Sequence, residues 1–336
     1  MAGWRPAKSL GLAIATVTFA LAASMAQADT KVVRIAKQFG ISYLPLTLME
    51  EKKLLEAHGS RLGLDLGTEW VQFTGGAPIN EALISGSIDF ASGGVTPLLV
   101  IWAKTRGNVK GVAALNSMPL YLNTIDPDVR SIGDFTEKDR IALPAVKVSI
   151  QAITLQMAAE QAFGAGHHNR LDHLTVSLGH PDGLAQMMSG KSEITAHFTS
   201  APFMYQELED KRVKKILDSY DVLGGAHTFN MVWTTERFYA ANRRIVEAFI
   251  AALADAMNRI RLDPAGVAAL WCKAEGAKLS SAEVERIIRL PENEWTMVPK
   301  KVMAYADYMS RVGMLSTRPA RWRDVFFDDI QKLPGN

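Results

Sequence analysis

The chain has 336 residues, 48% hydrophobic and 21% charged, with 25 glycines and 14 prolines. That ordinary globular profile excludes disordered, collagen-like and coiled-coil readings, and the length points to about two domains. Lys plus Arg total 37 against 35 Asp plus Glu, so the basic surplus expected of a nucleic-acid partner is absent.

In chain order, the first feature is an export signal. Arg5 and Lys8 precede an uncharged apolar run over residues 10–23, and Ala26-Gln27-Ala28 has the small-x-small pattern of a cleavage site. Residues 1–28 are therefore expected to be removed, leaving Asp29 as the new first residue. The run is shorter than the roughly 20 residues that span a bilayer, and the only cysteine, Cys272, is too distant for a lipid anchor. The expected location is the periplasm. A single cysteine forms no internal disulfide and no thiolate cluster, so Cys272 reads as a small buried apolar residue.

Residues 31–36 alternate as a strand, and 46–58 read as a helix stopping near Gly59. A strand at 69–73, a turn at Thr74-Gly75-Gly76, a helix at 80–85 ending at Gly86 and a strand at 88–91 follow. Ser92-Gly93-Gly94 then turns into a helix over 98–104, with a strand at 110–115. The middle repeats this order, with a strand at 140–143, a loop over 144–148 and a helix over 149–163. Next come a strand at 174–178, a helix at 182–189, a strand at 193–197, a helix over 202–209 and a strand over 213–217. Residues 71–91 and 176–196 share one pattern of strand, small-residue turn, helix, Ser-Gly and strand. Two similarly built wound α/β lobes are expected. After residue 221 come a strand at 229–233 and helices over 242–261, 264–275, 281–290 and 299–312. Trp322, Phe326 and Phe327 read as core.

These segments carry a resemblance. GISYLPLTLMEEKKLLE (40–56) and FTGGAPINEALISGSIDFASGGVTP (73–97), with residues 141–164, 180–203 and 229–238, resemble solute-binding proteins of ABC importers for nitrate, aliphatic sulfonates, taurine and thiamine-precursor-like ligands. The resemblance spans nearly all of the chain after residue 28. It implies a two-lobed type II periplasmic-binding-protein fold, each lobe a wound, mainly parallel sheet flanked by helices. Lobe 1 would comprise residues 29–122 and 226–336, and lobe 2 residues 123–225. The crossovers would lie near 117–123 and 224–229, with Gly224-Gly225 as a hinge.

In wound sheets a ligand sits beyond the carboxyl ends of the strands. The loops there hold Ser42 and Tyr43; Gly75 and Gly76; Gly94 and Thr96; and Ser149 and Gln151. Glycines let a ligand approach the backbone, and free N–H groups at helix starts favour an oxyanion without an arginine. His180, His197 and Trp233 are expected at the cleft walls, His197 as a hydrogen-bond donor and Trp233 as an aromatic face. Phe198 is a further aromatic candidate, and His227 lies in the second crossover. The histidines lack close ligand spacing and a carboxylate cluster, so no metal is expected. His167 and His168 read as surface.

No G-x-S-x-G, Walker A or H-E-x-x-H motif is present, and neither enzyme activity nor a cofactor is expected. Lys147 near the site keeps one alternative open, an exported cofactor-dependent enzyme. A ligand sensor is another. The resemblance implies a monomer that binds a small anionic or heterocyclic ligand and docks on an ABC permease with its ATPase subunit.

Overall fold

The computed structural model describes residues 1–3 and 31–336; the apolar run and cleavage motif of the expected export signal lie outside the described residues. The strands are β1 (Lys31–Gln38), β2 (Leu66–Phe73), β3 (Ala91–Gly94), β4 (Val109–Ala114), β5 (Tyr121–Thr124), β6 (Ile141–Leu143), β7 (Thr175–Ser177), β8 (Ala196–Thr199), β9 (Lys214–Asp218) and β10 (Asn230–Thr235). The helices before the first crossover are α1 (Leu44–Glu51), α2 (Leu54–Arg61), α3 (Gly76–Ser85) and α4 (Val95–Lys104). Next come α5 (Ile150–Phe163), α6 (His180–Ser189), α7 (Phe203–Leu208) and α8 (Ser219–Leu223). The C-terminal set is α9 (Glu236–Ala241), α10 (Arg243–Leu262), α11 (Pro264–Ala274), α12 (Ser281–Ile288) and α13 (Val302–Arg311).

The strands make two lobes. In the first, β1 pairs with β2 in parallel, and β10 lies antiparallel between β3 and β4. A parallel bridge from Ile35 to Phe90 joins the two pieces into one sheet. In the second lobe the order is β7-β6-β8-β5-β9, with β5 antiparallel to both neighbours. Each sheet thus has one reversed strand, β10 or β5, and each is the strand by which the chain arrives from the other lobe. Tyr121 and Leu122 pair with Thr199 and Phe198, so the second sheet starts at residue 121. The segments between lobes run side by side, with an antiparallel bridge from Ser117 to Thr228 and a bond from Ser117 Oγ to the His227 carbonyl of 2.7 Å.

Three local readings need correction. The expected 46–58 helix is two helices, α1 and α2, because Lys53 adopts a left-handed conformation at φ 49° between them. The second helix runs through Gly59, where a Cβ would lie 2.5 Å from the Leu66 side chain. Ser92-Gly93-Gly94 is not a turn but strand β3, paired with residues 230–232 of β10. Small side chains there leave room for Trp233, since a Cβ on Gly93 would lie 3.1 Å from its ring.

Elsewhere the local chemistry explains the elements. Gly86 and Gly190 end α3 and α6 in left-handed conformations that glycine adopts without a Cβ clash. Ser149 caps α5 by accepting from the Ala152 N–H. Ser280 and Glu283 form a reciprocal capping box at α12. The core is continuous across the first lobe and the interlobe face, and Trp322, Phe326 and Phe327 are buried in it.

Candidate functional site

The lobes meet at a small cavity of about 30 Å³. Gln38, Tyr43, Gly76, Gly94 and Asn230 line it from the first lobe, and Ser149, Gln151 and His180 from the second. Lysine, arginine, aspartate and glutamate are all missing from its walls. Four helices start there. Gly76 opens α3, Gly94 caps α4, Ser149 caps α5 and His180 opens α6. The caps of α3, α4 and α6 make no side-chain hydrogen bond, so the first N–H groups of those helices are left to backbone, solvent or ligand. Aligned peptide dipoles make each start partly positive, which suits an anion held by neutral donors.

Of the residues expected here, Tyr43, Gly76, Gly94, Ser149, Gln151 and His180 converge on the cavity. Tyr43 Oη donates to Asn230 Oδ1 at 3.3 Å, and burial pushes its pKa up, so it stays a neutral donor. Ser42 lies one layer back, where its hydroxyl accepts from Asn230 Nδ2 at 2.8 Å and its carbonyl from Asn116 Nδ2. Ser42 thus orients Asn230, a cavity residue the sequence reading missed.

Gly75, Gly94 and Thr96 also meet the opposite lobe. Their compactness admits the opposite lobe. A Cβ on Gly75 would sit 3.0 Å from the Pro144 carbonyl, and one on Gly94 3.0 Å from Ile150. Thr96 Oγ1 donates across the gap to the Val148 carbonyl at 2.7 Å. The Ile41 N–H reaches the Ala201 carbonyl at 3.2 Å, a further bond across the gap. The structure is therefore closed around this cavity.

Three residues expected at the cleft walls are not among those that line the cavity. Trp233 is fully buried beneath Gly93, its Nε1 donating to Asn80 Oδ1 at 3.1 Å, so it is core rather than an aromatic face. Phe198 is likewise core. His197 is fully buried behind His180, with Nε2 3.1 Å from His180 Nδ1 and Nδ1 2.6 Å from Glu207 Oε1. Glu207, also fully buried, accepts from Asn123 Nδ2 at 2.8 Å through its other oxygen. The packing of α7 on β5 and α6, beside β8, brings residues 197 and 207 together, and nothing in the sequence spacing marks it.

At the cavity edge, His180 Nε2 lies 3.3 Å from Gln151 Nε2, and Thr199 Oγ1 lies 3.1 Å from His180 Nδ1. Burial, helped by the neighbouring His197, holds His180 well below the usual imidazole range, so it is neutral at pH 7. His227 is structural: its Nδ1 donates to the Thr228 carbonyl and its Nε2 accepts from Ser219 Oγ at 2.8 Å. Burial lowers its pKa to about 4. Lys147 is exposed at φ 64° and does not line the cavity. His167 is exposed and His168 half-buried, away from the cavity. Half-buried Cys272 packs against the core, its thiol 3.6 Å from the Leu279 carbonyl. Among the described residues no group of three or more His, Cys, Asp or Glu is arranged to hold a metal ion. Among the same residues no helix is long and apolar enough to cross a membrane.

Comparison with solved structures identifies the architecture. The alkanesulfonate-binding protein of Xanthomonas axonopodis pv. citri, bound to MOPS, superposes with a TM-score of 0.70 at 21% identity, covering 89% of this chain and 99% of that one. The periplasmic aliphatic sulphonate binding protein of Escherichia coli gives 0.66 at 18% identity, covering 88% and 92%. The periplasmic nitrate-binding protein of Synechocystis PCC 6803 gives 0.68 at 13% identity, covering 86% and 83%. No protein-family model and no curated sequence matches the chain. The fold is that of the two-lobed type II periplasmic binding proteins.

Proposed function

We propose that this chain is an extracytoplasmic solute-binding protein that captures a small organic anion between its lobes and delivers it to an ABC permease and its ATPase subunit. The observation that carries this reading is the cavity itself, where helix starts from both lobes face one small space without charged walls. A ligand there touches both lobes. It therefore binds the closed form more tightly than the open one and shifts the population toward closure. Gly224 and Gly225, at φ 66° and 125°, stand in the second crossover and suit a hinge. The closed surface is then what a permease would recognise. Residues 1–28 would direct export to the periplasm, and the chain would act as a monomer.

Structural likeness to sulfonate- and nitrate-binding proteins supports the anion class. A thermal-shift screen of the secreted chain against nitrate, taurine, alkanesulfonates, aromatic carboxylates and pyrimidines tests it. A ligand at 100 times its Kd adds about 2.7 kcal/mol of stability. Stabilisation by an oxyanion supports the reading. A melt that no compound moves, or that only neutral heterocycles move, rejects the anion class.

A further inference from the structure

We infer that the anion held in the cavity is only the head of the ligand, and that an aromatic ring attached to it lies in the apolar groove beside the cavity, gripped by both lobes. The inference rests on the proposed function and deepens it by naming the ligand class, aryl sulfonates and aryl carboxylates.

The groove is far larger than the cavity, about 520 Å³ against about 30 Å³. It falls within the roughly 300–1,000 Å³ of small-molecule sites. Both lobes build it. In the second lobe, α6 contributes Pro181, Leu184, Ala185 and Met188, and the start of α7 contributes Pro202 and Phe203. The first lobe contributes Phe39, Gly40 and, from α11 and the loop after it, Trp271 and Leu279. Among the described residues Glu275 is the only carboxylate of these walls, and its Oε1 accepts from Lys37 Nζ at 3.1 Å and from Thr47 Oγ1 at 3.0 Å. Lys278 adds an exposed cation at the rim. The groove therefore sets no uncompensated negative charge against an anionic ligand.

Two features join the groove to the cavity. Half-buried Phe39 lines both. On the other lobe His180 lines the cavity and the next residue, Pro181, lines the groove, while the Phe203 ring lies 5.6 Å from the His180 ring at a tilt of 31°. A substituent on an anion among the helix starts has this route between the lobes. The rings of Phe39, Phe203 and Trp271 suit an aromatic group, because ring pairs gain from edge and offset contacts beyond the area they bury. The Met188 thioether packs well on a ring for a similar reason. A polar signal adds to this. Trp271 is only 4% exposed, and its Nε1 has no hydrogen-bond partner among the described residues. A buried indole N–H normally has one. Ser200 Oγ, buried and also without a partner, lies 3.8 Å from the Cβ position of Gly40 on the groove wall. An oxygen substituent on the ring supplies the acceptor that Trp271 lacks. Contact with both lobes also makes the ring a contributor to closure.

The test uses the secreted chain and sulfonates that share one head: methanesulfonate, hexanesulfonate, phenylmethanesulfonate and its para-methoxy derivative. Acetate, heptanoate, phenylacetate and para-methoxyphenylacetate form the matching carboxylate set. Calorimetric titration gives each Kd. Burial of the ring is expected to make the phenyl compound about tenfold or more tighter than the methyl one, and tighter than the alkyl chain. The para-methoxy derivative is expected to bind tighter still, and Trp271→Phe to abolish that gain. Ala185→Trp, at an exposed position of α6, fills the groove and brings the phenyl-to-methyl affinity ratio toward one. Met188→Gln, a milder change in the same wall, lowers that ratio, and a melt of each empty variant shows whether it folds. Equal affinity for the methyl and phenyl compounds, an alkyl chain bound as well as the ring, or a ratio that neither folded groove variant moves overturns the inference and leaves the proposed function standing. A methoxy gain that survives in Trp271→Phe overturns the indole contact. Binding of nothing in either set, with no stabilisation in the wider screen, overturns both the inference and the proposed function.

Discussion

Gly183 on α6 leaves the space that His197 occupies: a Cβ there would lie 2.6 Å from His197 Nε2. The ring cannot retreat easily, because Glu207 holds its other nitrogen at 2.6 Å. Gly183→Ala should therefore destabilise the protein by about 1–3 kcal/mol, the usual cost of overpacking. A lowered urea midpoint at unchanged slope is the expected readout. An unchanged midpoint would mean that His197 is free to move.

Removing His197 should cost more. His197→Ala leaves the Glu207 carboxylate fully buried with only Asn123 as partner. Breaking a buried pair from one side typically costs about 3–5 kcal/mol. The double substitution His197→Ala with Glu207→Ala should recover part of that loss, because the stranded charge is gone. A double-mutant cycle in denaturant measures the difference.

Gly75 is extended at φ −172°, a conformation alanine adopts without strain, and its Cβ would meet the Pro144 carbonyl of the other lobe at 3.0 Å. Gly75→Ala should leave the first lobe intact and oppose full closure. A penalty of about 1 kcal/mol corresponds to roughly fivefold weaker ligand binding. Small-angle scattering should show an expanded ligand-bound form. Equal loss of stability in the empty protein would contradict this division.

Thr96 and Ser149 should separate in the same way. Thr96→Val removes the bond to the Val148 carbonyl across the gap and should weaken closure by about 1 kcal/mol. Ser149→Ala removes the cap of α5 and should also lower the melting temperature, through about 1 kcal/mol of helix stability. The sequence alone suggests that both act on ligand binding only. The cap explains why Ser149 should not.

Acid should destabilise the fold through its buried histidines. His227 has a folded pKa of about 4 against 6.5 for an exposed imidazole, so the unfolded chain binds the extra proton between those values. Stability is then full above pH 6.5, falls as pH drops toward 4, and levels off below. The loss from this group is about 3 kcal/mol. His180, lowered in the same direction, adds to it. Chemical denaturation at pH 7.5 and pH 4.5 checks the sign. His227→Gln should reduce the difference.

Much of the architecture is legible in the residues. The repeated strand–turn–helix pattern of 71–91 and 176–196 corresponds to β2-α3-β3 and β7-α6-β8, and Gly86 and Gly190 end the matching helices. These are local signals, written in hydrophobic period and in glycine's access to left-handed backbone. The helix starts around the cavity are legible for the same reason. Trp233 was misplaced because an aromatic at the end of a strand reads alike whether it faces a cleft or the core. Only the packing of β10 against β3, with Gly93 above the ring, separates the two.

The sequence by itself determined the elements, their alternation and the loops that gather at one edge of each sheet, because these follow from neighbours within a few positions. The tertiary structure decided what the small residues there are for. Gly75 and Gly94 face the other lobe, Asn230 enters the cavity through a reversed strand, and Glu207 reaches His180 through His197. Each of these depends on contacts between residues ten to more than a hundred positions apart, set by packing within each lobe and between the two, and local propensity carries no information about that packing.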